Sequence, residues 1–242
     1  MGEHISKRNY SYPFNIEREY QNFLYRYLKT IETTDLKLDE DDDNEEVEET
    51  DIISDLTTPL VVLFISQLFN EVNKFAQSDM TKEINSAFRK ENERLQRQID
   101  LFNATMDNTG INAIQKQFID ENVLLIKNIA EQYRFKIREL EYLGMTKEEL
   151  AEGIAKIKGM TKNRAELIAV DQIGKLNGKM QQFYQQSMGC KEYIWQTMRD
   201  NRVREQHRRR EGKKYSWDNP PEGGHPSMAV RCRCKAKPIF ID

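Results

Sequence analysis

The sequence predicts a mainly α protein: an elongated helical bundle or stalk followed by a small, irregular α+β C-terminal unit. Three observations carry this. Apolar residues recur at steps of three and four through most of the chain from Ile16 to Phe183. Only 38% of the residues are apolar against 32% charged, with a mean hydropathy of -0.80. That is polar for one compact globule and suits long helices, or burial completed by a partner. Beyond Gly189 the periodicity gives way to short strand-like runs, turns and basic clusters.

The 242 residues are enough to bury a core. The longest apolar run, Leu60 to Ile65, falls far short of the roughly 18 residues of a membrane span, so no membrane association is expected. The N-terminus lacks the apolar core of a secretory signal. Three cysteines without an export signal suit a reducing compartment better than a disulfide scaffold.

Four regions follow in order. In residues 1–31, Ile16, Tyr20, Phe23, Tyr27 and Ile31 mark one helical face. So short a helix is unstable alone. It either packs on its own domain or forms an arm whose Tyr20, Phe23 and Tyr27 dock on a partner. Residues 32–56 read as an acidic linker. Between Glu32 and Asp51 twelve acidic residues face one basic residue, Lys37, and like-charge repulsion favours a solvated spacer. Residues 57–158 read as helices. The first is capped at Thr57 or Thr58 with Pro59 in its first turn, and Val61, Phe64, Ile65, Leu68, Val72, Phe75 and Ala76 lie along one side. A second passes Ile84, Phe88, Leu95, Ile99 and Phe102 and breaks near Asn108-Thr109-Gly110. A third carries the stripe Ile119, Val123, Ile126, Ala130, Tyr133, Ile137 and Leu140. Thr146 with Glu149 then forms a capping box for a short helix ending at Gly159. In residues 159–242 a long helix runs from Thr161 towards Gly189, and strands are expected at Tyr193–Thr197 and over residues 231–241.

Chemistry concentrates in that last region. His207, His225, Cys232 and Cys234 are of ligand types that bind zinc, and four of them would close a structural tetrahedron. A small unit poor in apolar residues gains most from such a staple. The Cys-x-Cys pair is tighter than the usual Cys-x2-Cys knuckle, and the alternative is that the cysteines pack as small buried residues. Residues 199–214 hold eight cations against three anions. Arg202, Arg204, Arg208, Arg209, Arg210, Lys213 and Lys214, with Arg231 and Arg233 beyond them, could form a DNA- or anion-binding surface. The alternative is a solvated helix face laced by pairs such as Glu205 with Arg209. Asp200, His207 and His225 could in principle serve a metal-dependent nuclease or toxin-like enzyme. A third reading is a nonspecific DNA-binding module. No Gly-rich phosphate loop, His-Glu-x-x-His helix or Gly-x-Ser-x-Gly elbow is present.

Read together, Arg164-Ala165-Glu166-Leu167-Ile168-Ala169-Val170-Asp171-Gln172, Gly189, Trp195-Gln196-Thr197, Asp200-Asn201-Arg202-Val203-Arg204, His207 and Gly212 form an ordered string. Pro220-Pro221, His225-Pro226, Cys232-Arg233-Cys234 and Pro238 continue it. Over about residues 160–242 this string resembles the minor head proteins of tailed bacteriophages, the Mu F-like head-morphogenesis family. The resemblance implies a structural virion component and no enzyme. It implies a protein of low copy number inside the capsid at the portal vertex, found in the host cytoplasm during assembly. Its partner would be the portal protein, with the major capsid protein and packaged double-stranded DNA as further candidates, in head assembly and DNA packaging or delivery. Some relatives carry cysteines where Arg204 and His207 stand, a pattern that reads as a zinc site. Here His207, His225, Cys232 and Cys234 are the full set of ligand types that remains.

Overall fold

The computed structural model describes residues 11–35, 49–105, 109–143 and 147–240. Among them six helices precede or interrupt one small sheet: α1 (Phe14–Asp35), α2 (Glu49–Ala87), α3 (Asn92–Thr105), α4 (Thr109–Tyr142), α5 (Lys147–Ser187), β1 (Glu192–Gln196), α6 (Glu205–Arg208), β2 (Lys214–Ser216) and β3 (Lys235–Ile239). A mainly helical protein with a small α+β C-terminal end is therefore what the chain forms. Most of the acidic segment, residues 36–48, lies outside the described residues, as do Thr146 and Asn108.

Several boundaries differ from the sequence reading. The expected second helix is split: Ile84 belongs to α2, Phe88 lies past its end, and α3 begins only at Asn92. Helix α2 starts at Glu49, eight residues before Thr57, and Pro59 lies inside it. Ile52, Ile53, Leu56 and Leu60 keep the three-to-four spacing across that proline, so the pattern does not stop where the first-turn signal stands. Helix α5 runs unbroken through Gly159. A glycine in a helix interior costs about 1 kcal/mol relative to alanine, too little to end a helix of 41 residues.

The chain divides into two compact units. One comprises Asn15–Leu68 and Gln117–Val170; the other comprises Phe69–Lys116, Asp171–Asp242 and the described residues before Asn15. In the first, α1 buries Ile16, Tyr20, Leu24 and Leu28, one residue per turn. Each such side chain contributes about 1.5–3 kcal/mol of burial. The Tyr20 hydroxyl donates to Asn122 Oδ1 at 2.7 Å, and Asn122 Nδ2 donates to the Phe118 carbonyl at 2.8 Å. Phe23 stacks on Phe64 with centroids 3.8 Å apart, and Tyr27 stacks on Phe23. Of the two readings offered for this helix, packing on its own domain is the one that the described residues from Phe14 onward show. Tyr20 is fully buried, and Phe23 and Tyr27 have ring partners within their own unit. A helix of this length gains its stability from that packing. On α4 the buried stripe is Phe118, Asn122, Ile126, Ile129, Ala130 and Tyr133.

In the second unit α5 buries Ile173, Leu176, Met180 and Tyr184, with Met188 buried just past its end, and the Tyr184 hydroxyl donates to Asn73 Oδ1. Gly189, with φ of 81°, closes the helix: the Cys190 amide donates to the Gln185 carbonyl at 2.9 Å. This is the left-handed cap that glycine makes cheaply. The sheet is antiparallel in the order β2-β1-β3, with Tyr193 opposite Tyr215 on one side and Pro238 on the other. β2 has no counterpart in the sequence reading. Lys235 of β3 is 4% exposed and sits 2.6 Å from Asp79 and 2.9 Å from Glu83, so a buried cation with two carboxylates ties the sheet to α2.

Candidate metal centre

One core holds the C-terminal sheet together: Tyr193, Trp195, Trp217, Cys232, Cys234 and Ala236, with Tyr215 and Ala229 packed against it. Alternation along β1 turns Tyr193 and Trp195 to this side. Trp217 follows β2, and the two cysteines precede β3. Both tryptophans of the chain are therefore in this one small core.

His207, carried on the single turn of α6, is buried among these side chains. Its Nδ1 lies 3.5 Å from Cys232 Sγ and 3.4 Å from Cys234 Sγ, and its ring meets that of Trp195 edge-on at 5.2 Å. Ligand atoms of all three residues lie within 4.8 Å of one another. Residues two apart on extended backbone share a face, so the tight Cys-x-Cys spacing is what turns both thiols to the imidazole. The intervening Arg233 points away, to an ion pair with Asp200 at 2.8 Å and a hydrogen bond to its Oδ1 at 3.0 Å. The Ser227 hydroxyl donates to the Cys234 carbonyl at 2.8 Å.

Several residues of the sequence string shape this loop. Asp200 also accepts the Arg202 amide at 3.1 Å, and Arg204 donates to the Val230 carbonyl. Asp171 Oδ1 accepts the amide of Arg231, a residue held at φ of 55°. Gly174 and Gly178, one turn apart on α5, let the loop lie close. A Cβ at Gly178 would meet Ser227 Cβ at 2.7 Å, and one at Gly174 would lie 3.5 Å from the Cys232 carbonyl oxygen.

The thiols share one charge. The Cys234 thiol donates to Cys232, and together with His207 this holds Cys232 down to about 4, well below the usual thiol range. The same hydrogen bond, with burial, pushes Cys234 up. A tetrahedral zinc with Zn–S of about 2.3 Å and Zn–N of about 2.0–2.1 Å sets S···N edges of about 3.6 Å. The observed separations of 3.5 and 3.4 Å fit that edge. The donor set, two sulfurs and an imidazole, is also one that zinc favours.

His225 does not join the other three. Its Nδ1 hydrogen-bonds the Tyr193 hydroxyl at 2.9 Å, and its ring packs 4.8 Å from that of Trp217. The four-residue set expected from the sequence is thus three residues among those described, because His225 is engaged by Tyr193 and Trp217 of the same core. Asp200, His207 and His225 are not gathered into one ligand group either, since Asp200 is engaged by Arg233 and Arg202.

The basic cluster divides in the same way. Arg199 pairs with Glu211 at 2.6 Å, and Arg209 with Glu205 at 3.1 Å; Arg208 lies 3.9 Å from Glu205. Arg210 donates to the Glu222 carbonyl and covers the Trp195 ring at 5.0 Å. Arg204 and Arg233 are tied to the loop. Lys213, Lys214, Arg202, Arg208, Arg209 and Arg231 are exposed at the surface.

Residues 138–237 match the family model described as Phage Mu protein F like protein. The chain is 35% identical over 124 residues to an uncharacterized protein of Haemophilus influenzae, a match covering 49% of this chain and 28% of that relative. The chain thus spans little more than a quarter of the relative's length. No solved structure matches it. Helix α5, β1, β2, the start of β3 and the His207–Cys232–Cys234 cluster fall in the matched span, and over that span the chain is similar to Phage Mu protein F like protein.

Proposed function

We propose that this protein is a structural component of the bacteriophage head, acting in head morphogenesis at the portal vertex and assisting DNA packaging or delivery. The observation that carries the reading is the Mu F-like match over residues 138–237. The geometry agrees with it. The histidine and cysteines are buried inside a core, as side chains that hold a fold together are. No described helix is long and apolar enough to cross a membrane. The experiment is mass spectrometry of purified virions together with immunogold labelling. A few copies per particle, labelled at the tail-proximal vertex, are expected. Absence of the protein from both mature virions and assembling heads would reject the assignment.

His207, Cys232 and Cys234 would hold a structural zinc, converting metal affinity into stability of a segment with a small core. Elemental analysis of the purified full chain should find about one zinc, lost in His207→Ala and Cys232→Ser and kept in His225→Ala. Retention of zinc in the first two variants would remove the site. The exposed Arg202, Arg208, Arg209, Lys213 and Lys214 would lie against packaged duplex DNA. That face predicts duplex affinity that falls steeply with salt.

A further inference from the structure

Within the unit that holds Gln117–Val170, helix α4 turns Phe118, Asn122, Ile126, Ala130 and Tyr133 into the core. Two large apolar side chains of the same helix lie elsewhere: Leu124 is 61% exposed and Phe135 is 69% exposed. Eleven residues make about three turns of 3.6 residues, so the two stand on one face. That face is opposite the buried one, because Leu124 lies two positions, about 200° of rotation, from both Asn122 and Ile126. Scattered exposed apolar residues are ordinary. This pair brackets a short polar stretch in which Lys127 and Glu131, both exposed, run along one side of the line from Leu124 to Phe135.

We infer that this face of α4 pairs with the same face of a second copy of the chain, antiparallel, about a two-fold axis at Ile129 and Ala130. The stretch is self-complementary about that point, which is what a two-fold interface requires. The rotation sets Leu124 against Phe135 of the second copy, and Phe135 against its Leu124. It also brings Lys127 to Glu131 of the second copy, twice, on one side of the seam. Parallel pairing in register would instead set Glu131 against Glu131 and Lys127 against Lys127, so charge selects the antiparallel arrangement. A polar middle between two apolar ends also fixes the register, since a slip would press a charge onto Leu124 or Phe135. The same register brings Glu121 towards Glu139 of the second copy, farther from the seam, where both are exposed. The stretch from Leu124 to Phe135 precedes the matched residues 138–237, and the pairing does not depend on the metal.

Sedimentation equilibrium of the full chain over a concentration series should show a monomer–dimer equilibrium. Leu124→Asp and Phe135→Asp should each weaken the dimer by about tenfold or more, and circular dichroism checks that these exposed changes keep the helices. Lys127→Glu should weaken it too, and the double reversal Lys127→Glu/Glu131→Lys should restore it. Glu139→Lys, which turns a repulsion into an attraction, should tighten it. A chain that stays monomeric, a dimer indifferent to both aspartate variants, or a double reversal that pairs no better than Lys127→Glu alone would each overturn the inference.

Discussion

Asp200 stands between two arginines and thereby fixes the direction of the Cys-Arg-Cys loop. Arg233 is only 10% exposed in its side chain, so the pair is worth more than a surface ion pair, which contributes about 0–1 kcal/mol. The hydrogen bond from Arg233 holds the Asp200 carboxyl below the usual carboxylate range. A carboxyl lowered on folding stabilises the fold above its unfolded value, and that stabilisation is lost as pH falls through the folded one. Asp200→Asn should therefore flatten the acid limb of the melting temperature between about pH 5 and pH 2. At neutral pH it should cost about 1.5–3 kcal/mol, the value of a hydrogen bond to a charged group. Thermal denaturation across that pH range reads both. Residue identity alone supplied the ligand types, and three of the four cluster. His225 was beyond its reach because spacing along the chain does not say which neighbours a side chain will meet in a core. Tyr193, whose hydroxyl claims His225, carries no mark of that role in the sequence.

At the scale of elements, the joint between α2 and β3 is the buried Lys235 with Asp79 and Glu83. Burial pushes the Asp79 carboxyl up, and the Lys235 ammonium pulls it back down. Lys235→Met leaves two carboxylates facing a partly buried site without their cation and should cost about 3–5 kcal/mol. In urea unfolding, adding Asp79→Asn to it should cost less than the sum of the single changes, as coupled neighbours do. Strict additivity would mean that the pair does not interact. The long helices were legible because heptad-like spacing survives wherever one face is buried: Ile126, Ala130 and Tyr133 are all on the expected side. Gly159 misled because an exposed glycine weakens a helix without ending it. β2 escaped notice because Lys214-Tyr215-Ser216 is too short to show alternation; pairing with Tyr193 makes it a strand. The partner face expected of α1 is occupied by Asn122 and Phe64, neighbours more than forty residues distant in sequence.

At the scale of the molecule, most residues are helical while both tryptophans, Trp195 and Trp217, lie in the C-terminal core. The two spectroscopic signals of the protein thus come from different places. Far-ultraviolet ellipticity reports chiefly the long helices; indole emission reports the C-terminal core, Trp195 beside His207 and Trp217 beside His225. If His207, Cys232 and Cys234 hold the proposed zinc, a chelator should move the emission to longer wavelength and leave the 222 nm ellipticity nearly unchanged, and Cys232→Ser should emit at the shifted wavelength from the outset. An emission indifferent to chelator would mean that packing alone holds the indoles dry. The fold has placed an optical probe inside the part of the chain whose chemistry is in question, so folding of that part can be followed in the purified protein without attaching any label.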